Sequence, residues 1–167
     1  MLNIKEQILN TTLQIDTRVL SKTKSIDGLL VYTLRKKLEK KCSECGYVIE
    51  NSLSIIDRTY GIFRSVDNKS VTQYSINYKV KTINPEKEER YQCFVNSVTK
   101  MGIISYLKLS DEDTIKESPL LVIIPKEYID DDAFEKIHEG ITIDIEILDS
   151  RMKHLSDQIQ SVGKLIN

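Results

Sequence analysis

Cys42 and Cys45 stand two residues apart in the run Lys41-Cys42-Ser43-Glu44-Cys45-Gly46, the spacing at which two thiolates can meet one tetrahedral zinc ion. A structural zinc site needs four ligands, and the remaining donors Cys93, His138 and His154 are scattered through the second half of the chain. The pair is therefore read as a helix end with small buried side chains, and neither a metal nor another cofactor is expected. Two acidic triplets, Asp111-Glu112-Asp113 and Asp130-Asp131-Asp132, lack the interleaved glycine and distant bidentate glutamate of a calcium loop. Solvated loops fit them better. Neither histidine neighbours a nucleophile in a glycine-rich elbow, and the sequence has no glycine-rich loop to cradle phosphate. The chain is read as non-catalytic.

Binding chemistry remains. Phe94 alternates with Cys93 and Val95, which places its ring on the outward face of a strand. With Tyr106, Lys100, Arg151 and Lys153 it makes the candidate RNA-contacting set, since an exposed ring stacks on a base for about 1–3 kcal/mol. A second basic cluster, Arg35, Lys36, Lys37, Lys40 and Lys41, is read as a solvated helix face, with nucleic acid or an acidic protein surface as its alternative partner. Charge is divided along the chain. Residues 1–81 carry 14 Lys+Arg against 8 Asp+Glu, a balance of +6, and residues 82–167 carry 10 against 17, a balance of −7. Phosphate binding depends on positive charge and counterion release, so RNA contact from the acidic half is expected to be weak and salt-sensitive.

The elements that must carry these residues follow from periodicity. Leu9, Leu13 and Ile15 alternate with polar residues as in a strand with one covered face. Ile26, Leu29, Leu30, Leu34 and Leu38 recur at three- and four-residue spacing, predicting an amphipathic helix capped by Ser25 or Asp27. After Gly46 the period becomes two: residues 53–56 lead toward 61–63, a polar turn follows at 67–70, and Tyr74, Ile76, Tyr78 and Val80 alternate with polar residues, predicting two strands joined at that turn. The helix is expected to cover the apolar face of these strands. Near residues 82–89 a proline and a charged run mark a seam, dividing the chain into domains at 1–83 and 84–167. Beyond it, strands are predicted at 91–98, 102–107, 120–124, 141–148 and 158–165, with a short helix around 132–137. In the fourth, Ile141, Ile143, Ile145 and Ile147 share one face. That order matches a five-stranded OB barrel. The expected fold class is thus α+β, a helix packed on a small antiparallel sheet followed by a C-terminal five-stranded OB-fold barrel.

Bulk features set further expectations. The longest apolar run, residues 120–124, is far shorter than the ~18 residues of a membrane span, and the N-terminus lacks the pattern of a secretory signal. No membrane partner is expected. Three cysteines, an odd number, supply no disulfide framework, which suits a reducing intracellular setting.

Three stretches carry a resemblance. KCSECGYVIENSLSIIDRTYGIF, YSINYKVKTINPEKEERYQCFVNSVTKMGI, and SPLLVIIPKEY with the closing EGITIDIEILDSRMKHLSDQIQSVGKL resemble, in order and spacing, the stalk-subunit family of multisubunit RNA polymerases. That family comprises the seventh subunit of eukaryotic RNA polymerase II and its archaeal counterpart, and the chain looks most similar to versions encoded by large nucleocytoplasmic DNA viruses. The resemblance implies a non-catalytic polymerase subunit whose N-terminal tip docks on the large core subunits and whose barrel lies near nascent RNA. It implies a smaller helical stalk partner and a role in initiation and clamp position. Docking is expected in the family's tip loops, over residues 16–20 and the hairpin 59–70, with Asp16, Arg18, Leu20, Tyr60 and Arg64 as the contacts. The implied location is the host-cell cytoplasm and virion for a viral member, or the nucleus for a cellular one. The alternative is a free-standing OB-fold RNA-binding factor in translation or RNA turnover.

Overall fold

The computed structural model describes residues 3–166, which fall into two compact units. One gathers Lys5–Glu39 and Val48–Thr82, and the other gathers Lys40–Tyr47 and residues 83–166 together with Asn3 and Ile4. Charge follows this division. The first unit holds 12 Lys+Arg against 7 Asp+Glu, a balance of +5, and the second 12 against 18, a balance of −6.

The first unit is built on a sheet of β1 (Ile4–Asp16), β4 (Ser54–Arg58), β5 (Ile62–Val66) and β6 (Lys69–Ile83). Strand β6 pairs with β1, and also with β4 and β5. The short helix α1 (Thr17–Ser21) and the longer α2 (Ile26–Leu38) connect β1 to the remainder. Ser25 caps α2, its Oγ accepting from the Gly28 amide at 3.1 Å, which satisfies a helix-start donor. Leu30 and Leu34, one turn apart, are buried with Leu13 and Ile15 of β1 and with Tyr74, Ile76, Tyr78 and Val80 of β6. Burying each leucine contributes about 1.5–3 kcal/mol, more than helix propensity supplies. The helix ends where Glu39 turns extended and Lys40 takes a positive φ of 60°. Its last turn is tied to the start of β4: Arg35 Nη2 donates to the Leu53 carbonyl at 3.0 Å, and a Glu39 carboxylate oxygen accepts from the Leu53 amide at 3.2 Å.

The second unit contains a closed barrel of β7 (Arg90–Thr99), β8 (Gly102–Tyr106), β9 (Leu120–Pro125), β10 (Thr142–Arg151) and β11 (Ile159–Leu165). Its circular order is β10-β11-β9-β8-β7, with β11 parallel to β9 and every other pair antiparallel. This is an OB-like barrel. The predicted isoleucine alternation holds, with Ile143, Ile145 and Ile147 buried inside. The predicted short helix forms as α3 (Asp131–Lys136), and β10 runs on past its predicted end to Arg151. Register partners trace a row from Phe94 through Tyr106, Leu121 and Gln160 to Arg151, yet the partner of Phe94 on β10 is Thr142. Arg151 and Thr142 are nine residues apart (151 − 142), and that stagger is the strand tilt a barrel needs to close. At Gly102 the backbone has φ +146°, and a Cβ there would lie 2.1 Å from the Ile124 carbonyl oxygen. The short hairpin β2 (Cys42–Ser43) and β3 (Gly46–Val48) precedes β4 in the chain. The fold class is therefore α+β, a closed five-stranded mixed barrel with a separate antiparallel sheet. No helix among the described residues is long and apolar enough to cross a membrane.

Candidate functional site

On the barrel, Phe94 of β7 and Tyr106 of β8 are register partners, so both side chains leave the same face of the ladder. Their ring centroids lie 5.6 Å apart with planes at 65°, an edge-to-face pair. Phe94 is half-buried, whereas Tyr106 is only 5 % exposed and supports its neighbour more than it meets solvent. Lys108 completes the cluster. Its Nζ stands 3.9 Å over the Phe94 centroid and 5.9 Å from that of Tyr106. A base stacking on that side of Phe94 must displace the ammonium. The cation–π contact is worth about 0.5–1 kcal/mol at an exposed site, against about 1–3 kcal/mol for a stacked base. Sequence reasoning missed Lys108, although its place two residues after Tyr106 gives it the same strand parity.

The other three expected RNA contacts lie apart from this cluster. Lys100 sits in the tight turn between β7 and β8, six residues beyond Phe94. Arg151 shares the register row of Tyr106 but stands three strands away, about 14 Å at the usual strand spacing. Lys153 follows in the loop after β10. All three are exposed. The outer surface between them is aliphatic: Ile104, Ile123 and Val162 are successive register partners on β8, β9 and β11. Several barrel cations are already engaged, Arg90 and Lys164 with Glu146 at 3.7 and 3.0 Å, and Lys126 over the Phe134 ring.

Cys42 and Cys93 take structural places, whereas Cys45 is half-buried in the turn of the β2–β3 hairpin, so the pair sits in a hairpin and not at the helix end. Cys42 is buried, its amide donates to the Ser156 carbonyl at 2.8 Å, and its carbonyl accepts from Leu155 at 2.9 Å. Burial pushes its thiol above the ordinary range, and burial pushes that of Cys93 up to about 12, so both stay protonated and poorly nucleophilic. Among the described residues, no group of three or more His, Cys, Asp and Glu side chains is placed to hold a metal ion. Asp113, from the first acidic run, instead closes its own loop by accepting from the amides of Leu109 and Ser110 at 2.9 and 3.0 Å.

The expected docking residues separate into two groups. Asp16 caps α1 by accepting from the Arg18 amide at 2.9 Å, and Arg18 is exposed beside it. Leu20 packs against the core of the first unit. Tyr60 and Arg64 belong to a different feature, the β5–β6 ribbon. Every residue of β5 is exposed, on both faces of the strand. Ile62 is 54 % and Phe63 73 % exposed, and Tyr60, just before the strand, is 92 % exposed. The hairpin turns at Asp67 and Asn68, both at positive φ (50° and 63°), the left-handed pair that matches strand twist and fixes register. Ile62, Phe63 and Val66 lie within the hairpin 59–70 that the resemblance offers for docking, though it singles out none of the three as a contact.

Compared with known proteins, the chain matches no protein-family model and no curated relative.

Proposed function

We propose that the chain is a non-catalytic stalk subunit of a multisubunit DNA-directed RNA polymerase, of the viral kind, with the sheet unit as its tip domain. The tip attaches to the large core subunits, a smaller helical subunit completes the stalk, and the barrel meets nascent RNA weakly through Phe94. The subunit acts on initiation and clamp position, and the phosphodiester chemistry belongs to the core.

The observation that carries this reading is the β5 ribbon. An antiparallel strand commonly packs one face on a core, but β5 covers neither and still presents Ile62, Phe63 and Val66. A ribbon apolar on both sides is satisfied by a cleft, which buries both faces, rather than by a flat surface. Burial of each such side chain contributes about 1.5–3 kcal/mol. Arg64, on the face of Ile62 and Val66, supplies direction and partner choice.

Affinity purification of the tagged chain at physiological salt tests the reading. Large polymerase subunits are expected to co-elute, and the double substitution Ile62→Ser and Phe63→Ser is expected to lose them with the fold retained. Co-elution of RNA without polymerase would establish the free-standing RNA-binding factor instead. Recovery of neither would leave a protein with another partner.

A further inference from the structure

The outward face of α2 plays no part in the docking reading. Leu30 and Leu34 point inward, and at about 100° per residue Tyr32 projects on the opposite side of the helix, where it is 64 % exposed. Gly28 lies one turn before Tyr32 and Lys36 one turn after, on the same stripe. Because Gly28 has no side chain, the approach to the ring is open on that flank, and a Cβ there would meet only Ser25.

Both carboxylates of this segment are drawn aside. Asp27 accepts from Arg58 Nε at 2.6 Å, and the Glu39 side chain, 8 % exposed, holds the Leu53 amide and pairs with Arg35 at 3.7 Å. Lys36 is thus exposed on the stripe of Tyr32 with no carboxylate beside it, Lys37 is exposed about 140° around the helix from Tyr32, and exposed Lys22 and Lys24 precede the helix. None of these four lysines is in an ion pair among the described residues, and Tyr32 meets no other ring or cation there. The surrounding unit carries the positive balance of +5, while the barrel unit carries −6.

We infer that this face of α2 binds single-stranded nucleic acid, with Tyr32 stacking on a base and Lys36, Lys22 and Lys24 meeting phosphates. A stacking platform needs an unpaired base, which selects a single strand over a duplex. An acidic protein surface would use the lysines but leave the exposed ring without a role. The inference does not depend on the polymerase assignment.

Fluorescence anisotropy of the full chain with a short labelled oligouridylate tests it. Tyr32→Ala is expected to weaken binding roughly tenfold, and Tyr32→Phe to retain it. Lys36→Gln is expected to lower the slope of log affinity against log salt by about 0.7. Phe94→Ala is expected to leave this binding largely intact. The inference is overturned by absent binding, by loss on Phe94→Ala alone, or by equal competition from polyglutamate with no effect of Tyr32→Ala. That last outcome would make the face a site for acidic protein. Polymerase co-purification reads out separately, so failure of either proposal is distinguishable from failure of the other.

Discussion

Replacing Gly102 with alanine tests the barrel where its strands approach most closely. A Cβ at Gly102 would lie 2.1 Å from the Ile124 carbonyl oxygen, so β8 and β9 must separate locally by about 1 Å to restore van der Waals contact. That carbonyl belongs to the β8–β9 ladder, where Gly102 and Ile103 face Pro125 and Ile124. Separation forfeits one or two backbone hydrogen bonds, about 1 kcal/mol each, and holding alanine at φ +146° costs a further ~1–3 kcal/mol. The total is about 3 kcal/mol, a large part of a stability of ~5–15 kcal/mol. Gly140 provides the control: its φ is +88°, but a Cβ there meets nothing within 4 Å, so Gly140→Ala carries only the torsional cost, about 1–2 kcal/mol. Urea unfolding followed by near-ultraviolet tyrosine signals, suitable because the chain lacks tryptophan, measures both. Gly102→Ala should lose distinctly more than Gly140→Ala. Equal losses, or a Gly102→Ala loss within about 0.5 kcal/mol of zero, would refute the close approach of β8 and β9.

Three further outcomes are expected. The Cys93 thiol is raised from 9.0 to about 12 by burial, so the folded state holds this proton more tightly than the unfolded state. Its contribution is therefore fully present below pH 9 and lost as pH rises toward 12, which denaturant titrations across that range would detect; native Cys93 should also resist iodoacetamide at pH 9 while unfolded chain reacts. Glu39→Ala strands the Leu53 amide and unpairs Arg35, and should cost about 1–3 kcal/mol by thermal unfolding, with Glu39→Gln recovering part of it. Lys108→Ala removes only the cation over Phe94 and should cost no more than about 1 kcal/mol, with the Phe94–Tyr106 ring pair still visible in nuclear Overhauser contacts.

Local rules were enough for much of the fold. Ile143, Ile145 and Ile147 alternate without interruption, and Ser25 stands immediately before an apolar stripe with helical period, so β10 and the start of α2 were legible in one dimension. Helix α1 was not, because five residues carry too little periodicity and only the capping role of Asp16 marks it. The Cys42–Val48 hairpin was hidden for a related reason: strands of two and three residues leave no alternation to read, and the cysteine spacing suggested other chemistry. The Phe94–Tyr106–Lys108 cluster needed the register of β7 against β8, which depends on turn geometry and barrel closure rather than on either strand alone. The exposure of β5 was not legible because adjacent apolar residues such as Ile62 and Phe63 look the same in a strand whether neighbours cover them or not.

Hydrogen–deuterium exchange on the purified assembly tests most directly whether the β5–β6 ribbon is the attachment element. Backbone amides of residues 62–73 should exchange markedly more slowly in the assembly than in the free chain, with the amides of α2 unchanged in the absence of nucleic acid. Unaltered exchange along the ribbon in a chain that still co-purifies with its partner would contradict insertion and move the attachment elsewhere on the molecule.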